Sequence, residues 1–319
     1  EDKIFDQIVD TDRGGFREPI GIFITKNGFK YIADAKRDQV VVYDQNDKYI
    51  RSYGAENQFR PTSVAVIDNR LYVCDIDGSE IEILDIETGD LIKKFGKKGA
   101  GEGEFNRPSH LAVDTNNHIF VTDAFNFRIQ EFDRDGNFIK IVGGIGTYPG
   151  TFARPKGMDV DRSGHIYSVD AAFEIVQIFD EKSGEPLLPF GKYGPEPGGT
   201  YLPTCAHVDY DNVDYFKQYF NKDFKVEYLI YVCNTLGDKK INVYGFGNWV
   251  GESIKHQPIP VTQSSNDATT VEASFRTNYG TPVYLDDDDK LYVSTLGDPQ
   301  NFGNGENLFA ELDTLVNGV

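Results

Sequence analysis

Apolar and polar residues alternate in short runs along almost the whole chain, the period-two pattern of half-buried β-strands. The runs come in fours. Residues 110–114 alternate, 115–118 turn and 119–123 alternate again. A loop over 124–128, a strand over 129–132, a turn over 133–136 and a strand over 137–142 complete the unit. The same order recurs with an Asp ending the second run and another Asp ten positions on: Asp34 and Asp44, Asp75 and Asp85, Asp123 and Asp133, Asp170 and Asp180. Two weaker copies follow, one running through Asn234 and Tyr244, the other through Thr295 and Asp313. A proline opens each unit, at Pro19, Pro61, Pro108, Pro155, Pro203 and Pro282. An aromatic residue precedes the first five (Phe16, Phe59, Phe105, Phe152, Tyr201), and the first four close on Gly54, Gly96, Gly143 and Gly191.

Four short strands per roughly 40–50 residues, repeated six times, predict an all-β, six-bladed β-propeller of four-stranded antiparallel blades. Blades start near 19, 61, 108, 155, 203 and 282, within a single domain over 1–319. The last unit has strand patterns at 282–285, 290–294 and 308–313 and no fourth. The alternating segment 3–9 is predicted to complete it, so that the last blade is closed by the N-terminal strand and no sheet edge is left open.

The run Gly99-Ala-Gly-Glu-Gly-Glu-Phe105-Asn-Arg-Pro108, followed by Ile119-Phe-Val-Thr-Asp123 and Arg128-Ile-Gln-Glu-Phe132, resembles the NHL repeat. The resemblance covers nearly the whole chain, with units five and six divergent. It implies a six-bladed propeller with a central channel, a fold that hosts enzymes, sensors and scaffolds alike.

Composition narrows the partners. Of 319 residues, 51 are acidic and 32 are Lys or Arg, a formal charge of −19. Nucleic-acid binding draws on Lys and Arg that displace phosphate counterions, and no basic stripe is present. Nucleic acid is therefore excluded as a partner, and the chain is a poor match for RNA-binding members of the family. No run approaches the ~20 apolar residues of a membrane span. The absence of an initiating methionine, with the family analogy, leads to the expectation of a mature chain that is extracellular, periplasmic or at the cell surface. Cys74, Cys205 and Cys233 lack metal or haem spacing. Counting from unit three puts Cys205 opposite Asn234, so its sulfur and that of Cys233 are expected on opposite sheet faces, leaving three free, buried thiols.

Two insertions break the repeat. Residues 211–226 lengthen the first hairpin of unit five and carry Tyr215, Phe216, Tyr219 and Phe220 on one helical face, with Asp211 or Asn212 as the cap. Residues 248–280 lengthen the connection to unit six and carry Trp249. The short helix is expected to pack its aromatics onto the rim of its own blade, and the alternative is that these five aromatics are partner-docking candidates.

Candidate chemistry gathers where the blades open. In zinc-dependent peptide-amidating lyases of related propellers, histidines follow the opening proline of three blades, as the resemblance implies. Here Ile20, Thr62, Ser109, Lys156, Thr204 and Val283 stand there. No three imidazoles converge to hold zinc, so the chain is expected not to be an enzyme. Thr62, Ser109, His110, Lys156, Thr204 and His207 are the binding candidates at the channel mouth. Asp34, Asp75, Asp123 and Asp170 either cap the loops that follow them or ring a cation, for which Ca²⁺ suits carboxylates. No resident cofactor is expected. The leading expectation is a non-enzymatic binding or scaffolding propeller, an extracellular or cell-surface module for a protein partner or for self-assembly. A structural subunit of an extracellular filament or multiprotein assembly, and a metal-dependent lyase or hydrolase at the channel mouth, are the alternatives.

Overall fold

The computed structural model describes residues 16–55, 57–194 and 198–250, with the backbone of three further strands between 283 and 311. The chain divides into two compact units, one running through Thr147 with Thr151–Gly164, the other comprising Tyr148–Gly150 and the chain from His165 onward. Among the described residues, five four-stranded sheets follow one another.

In the first unit, blade one is β1 (Pro19–Ile24), β2 (Lys30–Asp34), β3 (Gln39–Tyr43) and β4 (Tyr49–Tyr53). Blade two is β5 (Pro61–Ile67), β6 (Arg70–Asp75), β7 (Glu80–Asp85) and β8 (Leu91–Phe95). Blade three is β9 (Pro108–Val113), β10 (Ile119–Asp123), β11 (Arg128–Phe132) and β12 (Phe138–Val142), and β13 (Pro155–Val160) follows. Each blade is an antiparallel meander in chain order.

Middle strands such as β6 are buried on both faces, which is why Leu71, Tyr72, Val73 and Cys74 are all fully buried and read as a continuous apolar run. Tyr31, Val40, Val42, Tyr53, Val64, Leu71 and Val73 form the seam of blades one and two. Tyr72, Ile81, Ile83, Phe95, Ile119, Val121 and Phe132 form the next. Polar links cross the same seams: the Tyr53 hydroxyl donates to the Ile86 carbonyl at 2.6 Å and the Tyr72 hydroxyl to the Arg134 carbonyl at 2.8 Å.

The closing glycines and the aromatics after them act together. Gly54 has φ +102°, and a Cβ there would lie 2.7 Å from the Phe59 ring; Gly96 has φ +94°, with 2.5 Å to Phe105. Only glycine reconciles the left-handed turn with a ring seated on its backbone.

The second unit holds β14 (His165–Asp170), β15 (Ile175–Asp180) and β16 (Pro186–Phe190), then a short parallel pair, β17 (Lys192–Tyr193) and β18 (Gly199–Thr200). Blade five begins with β19 (Pro203–Asp209), then α1 (Val213–Phe216) and a 3-10 turn over Lys217–Tyr219. The long strands β20 (Phe224–Asn234) and β21 (Ile241–Trp249) follow, paired from Phe224↔Trp249 to Cys233↔Ile241. After them come β22 (Val283–Leu285) and β23 (Leu291–Val293), paired with each other, and β24 (Asn307–Glu311). Here the structure departs from the repeat reading. β24 pairs with β21, from Tyr244↔Glu311 to Asn248↔Asn307, and is the fourth strand of blade five rather than a strand of unit six. Among the described residues the strand beside β21 on that edge is β24, from further along the chain. Residues 3–9 lie outside the described residues.

A second feature was hidden from the pattern. In β1, β5, β9 and β19 the pairing with the next strand slips by one residue just after the opening proline. The extra residues are Ile20, Thr62, Ser109 and Thr204, each a β-bulge. The bulge corrects the cysteine register: Pro203 pairs with Asn234, Thr204 is bulged out, and Cys205 lies directly opposite Cys233.

Candidate functional site at the blade openings

The first strands of successive blades pack side by side in unit one, β1 on β5, β5 on β9 and β9 on β13. Their approach is close. A Cβ on Gly21 would meet the Thr62 carbonyl oxygen at 2.5 Å. Ser63 Oγ accepts from the Leu111 backbone N–H at 3.1 Å, and Thr122 Oγ1 donates to the Lys156 carbonyl at 2.9 Å. The residues after the prolines therefore stand on one row of adjacent strands, with Ile20, Thr62 and Ser109 at the bulges.

Thr62 is buried and its hydroxyl makes one long bond, 3.4 Å to the Cys74 carbonyl. Ser109 is half-buried, and its Oγ is shut off from solvent with no hydrogen-bond partner among the described residues. Lys156 is half-buried and makes no ion pair among the described residues. Burial first, and then the positive charge of Arg154, hold its ammonium below the ordinary lysine range. His110 sits beside Ser109, half-buried, across from Thr122. Thr204 and His207 are exposed on β19 in the second unit. The structure thus joins Thr62, Ser109, His110 and Lys156 on one unit and leaves the other two candidates on the second.

The repeated aspartates serve the backbone. Fully buried Asp34 accepts from Arg17 N and Glu18 N, both at 2.8 Å. Asp75 Oδ1 accepts from Arg60 N at 3.0 Å and Asp77 N at 3.1 Å, and burial nevertheless pushes its carboxyl up. Asp123 takes Asn106 N at 2.7 Å, Asn126 Nδ2 at 2.8 Å, Arg128 Nε at 2.9 Å and Gln130 Nε2 at 3.1 Å. Asp170 accepts from Ala172 N and Phe173 N. Asn234 repeats the motif, accepting from Tyr201 N at 3.1 Å. In blades one, two, three and five the donor lies one or two residues before the opening proline, so this side chain staples the entrance of strand one to the end of strand two.

A separate carboxylate group, Asp75, Glu80 and Glu82, brings oxygens within 4.8 Å of one another. Its cation is Lys94, whose Nζ lies 2.8 Å from Glu80 and 2.6 Å from fully buried Glu82. These contacts raise the Lys94 ammonium above its ordinary range.

The insertion on blade five turns most of its aromatics inward. Phe216 meets Tyr231 edge-on at 6.0 Å, and Phe220 packs beside Phe224 and over Gly245, with Tyr219 against the same cluster. Tyr215 alone of the four is exposed, at 65%. Asn212 is the N-cap residue but makes no side-chain cap bond. Asp209 holds the turn that leads into the helix, accepting from Asp211 N, Asn212 N, Asn212 Nδ2 and the Tyr231 hydroxyl. The side chain of Trp249 lies outside the described residues. Among the described residues no helix is long and apolar enough to cross a membrane.

The repeats and blades define an NHL-type β-propeller. A family model described as a 6-bladed beta-propeller (DUF5128) matches residues 55–131. Among curated proteins, the chain is 26% identical over 140 residues to the probable peptidyl-alpha-hydroxyglycine alpha-amidating lyase pgal-1 of Caenorhabditis elegans, covering 42% of this chain and 37% of that protein. It is 48% identical over 46 residues to protein lin-41 of the same organism and 51% identical over 43 residues to the brain tumor protein of Drosophila melanogaster. Each of those two matches covers 14% of this chain and 4% of the relative. The chain thus spans well under half the length of the curated relatives it matches. Among solved structures, virginiamycin B lyase from Staphylococcus aureus with quinupristin has a TM-score of 0.51 at 15% identity, over 70% of this chain and 66% of that one. A streptogramin B lyase gives 0.50 at 12% identity, over 70% and 63%. These two likenesses establish the fold.

The expectation that the chain is not an enzyme is corrected by the lyase similarity over 140 residues. That expectation rested on missing histidines after the prolines. Their absence removes one metal arrangement, and other side chains stand in the same places.

Proposed function

We propose that the blade openings of unit one form the substrate site of a lyase-type propeller, taking a peptide-like molecule that ends in a carboxylate. The observation that carries this is Lys156: in a chain of charge −19, a half-buried ammonium makes no ion pair among the described residues. Desolvation without a counter-charge favours the neutral amine, the form that can accept a proton. Ser109 Oγ, buried and without a partner among the described residues, is a second unmet demand on the same row.

The related lyase is named for peptidyl-α-hydroxyglycine. In such a carbinolamide the hydroxyl proton leaves to a base and the C–O bond becomes a carbonyl. The C–N bond pair goes to the amide nitrogen, which takes up a proton. The products are a peptide amide and glyoxylate. A lysine with a lowered pKa fits the base, because more of it is neutral near working pH. Thr62 and Ser109 would hold the carboxylate end. Three histidines for zinc are absent after the prolines, so no step is routed through a metal.

The test is glyoxylate release from a peptidyl-α-hydroxyglycine by the full chain, with Lys156→Met alongside. The proposal expects turnover that falls about 10²–10⁴-fold in the variant, the range a positioned base supplies. No release above the uncatalysed rate, together with no binding of the peptide, would refute it.

A further inference from the structure

Blade five carries a pair of sulfurs that no activity discussed above uses. Cys205 on β19 and Cys233 on β20 are direct cross-strand partners, with Ala206↔Val232 and His207↔Tyr231 continuing the register. Both are half-buried thiols, and no disulfide joins any of the three cysteines. We propose that Cys205 and Cys233 are a redox pair that closes into a cross-strand disulfide on exchange with a small disulfide such as oxidised glutathione.

Geometry supports the closure. Directly opposed residues in an antiparallel pair have Cβ atoms about 4.5–5.5 Å apart. A disulfide needs about 3.5–4.5 Å, so the strands must close by on the order of 1 Å. The bulge at Thr204, next to Cys205, is where the ladder is already broken and where such a movement disturbs least. Cys205 Sγ rests 3.3 Å from the carbonyl of Ala206. Cys74 is the internal control. It is fully buried, and burial pushes its thiol up to about 12, so it offers almost no thiolate.

The exchange balances in two steps. One thiolate of the pair attacks oxidised glutathione, forming a mixed disulfide and releasing one glutathione thiolate. The other thiolate then attacks the protein sulfur of that mixed disulfide, forms the Cys205–Cys233 bond and releases a second glutathione. The protein loses two electrons and the glutathione disulfide gains them. Burial holds the Cys233 thiol above its ordinary value, so the reaction should be slow at neutral pH and quicken on going alkaline.

The experiment incubates the full, folded chain with oxidised glutathione, counts thiols after denaturation, and maps peptides without reduction. The expected count falls from three to one, with a cross-linked peptide two hydrogens lighter that joins Cys205 to Cys233. Cys205→Ser and Cys233→Ser should each lose that peptide, while Cys74→Ser should keep it. Three thiols persisting after prolonged exposure at mildly alkaline pH, a link through Cys74, or stable glutathione adducts without the cross-link would overturn the proposal.

Discussion

Asp123→Ala tests the energetic role of the blade staple. Its carboxylate is fully buried and takes four donors, two of them from Arg128 and the Asn106 backbone. Removal leaves the Arg128 guanidinium, itself buried, with only the carbonyls of Gly101 at 2.6 Å and Glu104 at 3.0 Å. Stripping one partner from a buried ion pair costs about 3–5 kcal/mol. Asp34→Ala, which frees two backbone N–H groups but no charge, should cost about 1–3 kcal/mol. Asp85→Ala empties a hairpin turn whose donors, Glu87 N and Thr88 N, are exposed, and should cost the least of the three. Urea unfolding followed by circular dichroism on the three variants reads the order directly. In the double variant Asp123→Ala/Arg128→Met the orphaned charge is gone, so its loss should be smaller than the sum of the two single losses by about 1 kcal/mol or more. An Asp123→Ala loss no larger than that of Asp85→Ala, or strict additivity in the double variant, would refute the staple as an energetic element.

Three further outcomes follow from particular contacts. The Lys156 ammonium is held below its ordinary range, so the unfolded chain binds more protons between the folded and unfolded values and stability should rise with pH across that window. Turnover should rise through the same depressed value, and urea midpoints and rates of Lys156→Met measured against pH should show neither limb. Gly21→Ala drives a Cβ to 2.5 Å from the Thr62 carbonyl, a backbone atom that cannot rotate away; a loss of about 1–3 kcal/mol in urea unfolding is expected. Burial alone would raise Asp209, but Asn212, the Asp211 N–H and Tyr231 outweigh it and hold the carboxyl below its ordinary 3.8. Its contribution is full above that value and lost as pH falls through the depressed one, so Asp209→Asn should flatten the acid limb of a urea-midpoint series.

The blades and the recurring Asp were legible because both are written in period and position, whereas the reach of Asp34, Asp75 and Asp123 back to the entrance of strand one, beyond the cap expected on the loop that follows, was not. Alternating runs mark strands, and an Asp at each second-strand end has a backbone to serve whatever the blade. The bulges were not legible, because proline fixes where a strand opens but not how many residues it takes to meet the next strand. That one-residue slip put Cys205 opposite Cys233 instead of Asn234. The place of β24 was hidden for another reason: its pairing with β21 joins residues about sixty apart, and no local pattern encodes such a partner. The row proposed as a substrate site was half legible. Thr62, Ser109 and Lys156 were found by counting from the prolines, while the buried state of Ser109 Oγ and the absence of a counter-ion at Lys156 among the described residues are packing facts.

The glycine that closes each of the first two blades is clasped by the aromatic that precedes the next, Gly54 by Phe59 and Gly96 by Phe105. Each clasp is made entirely within the linker it closes, from residues five and nine positions apart. A cut-and-paste made between clasps therefore transplants a blade together with its own hinge. A gene copying the stretch from just after Phe59 through Phe105 would carry one whole clasp, Gly96 with Phe105, so duplicating a blade supplies the new linker's clasp without any change inside a blade.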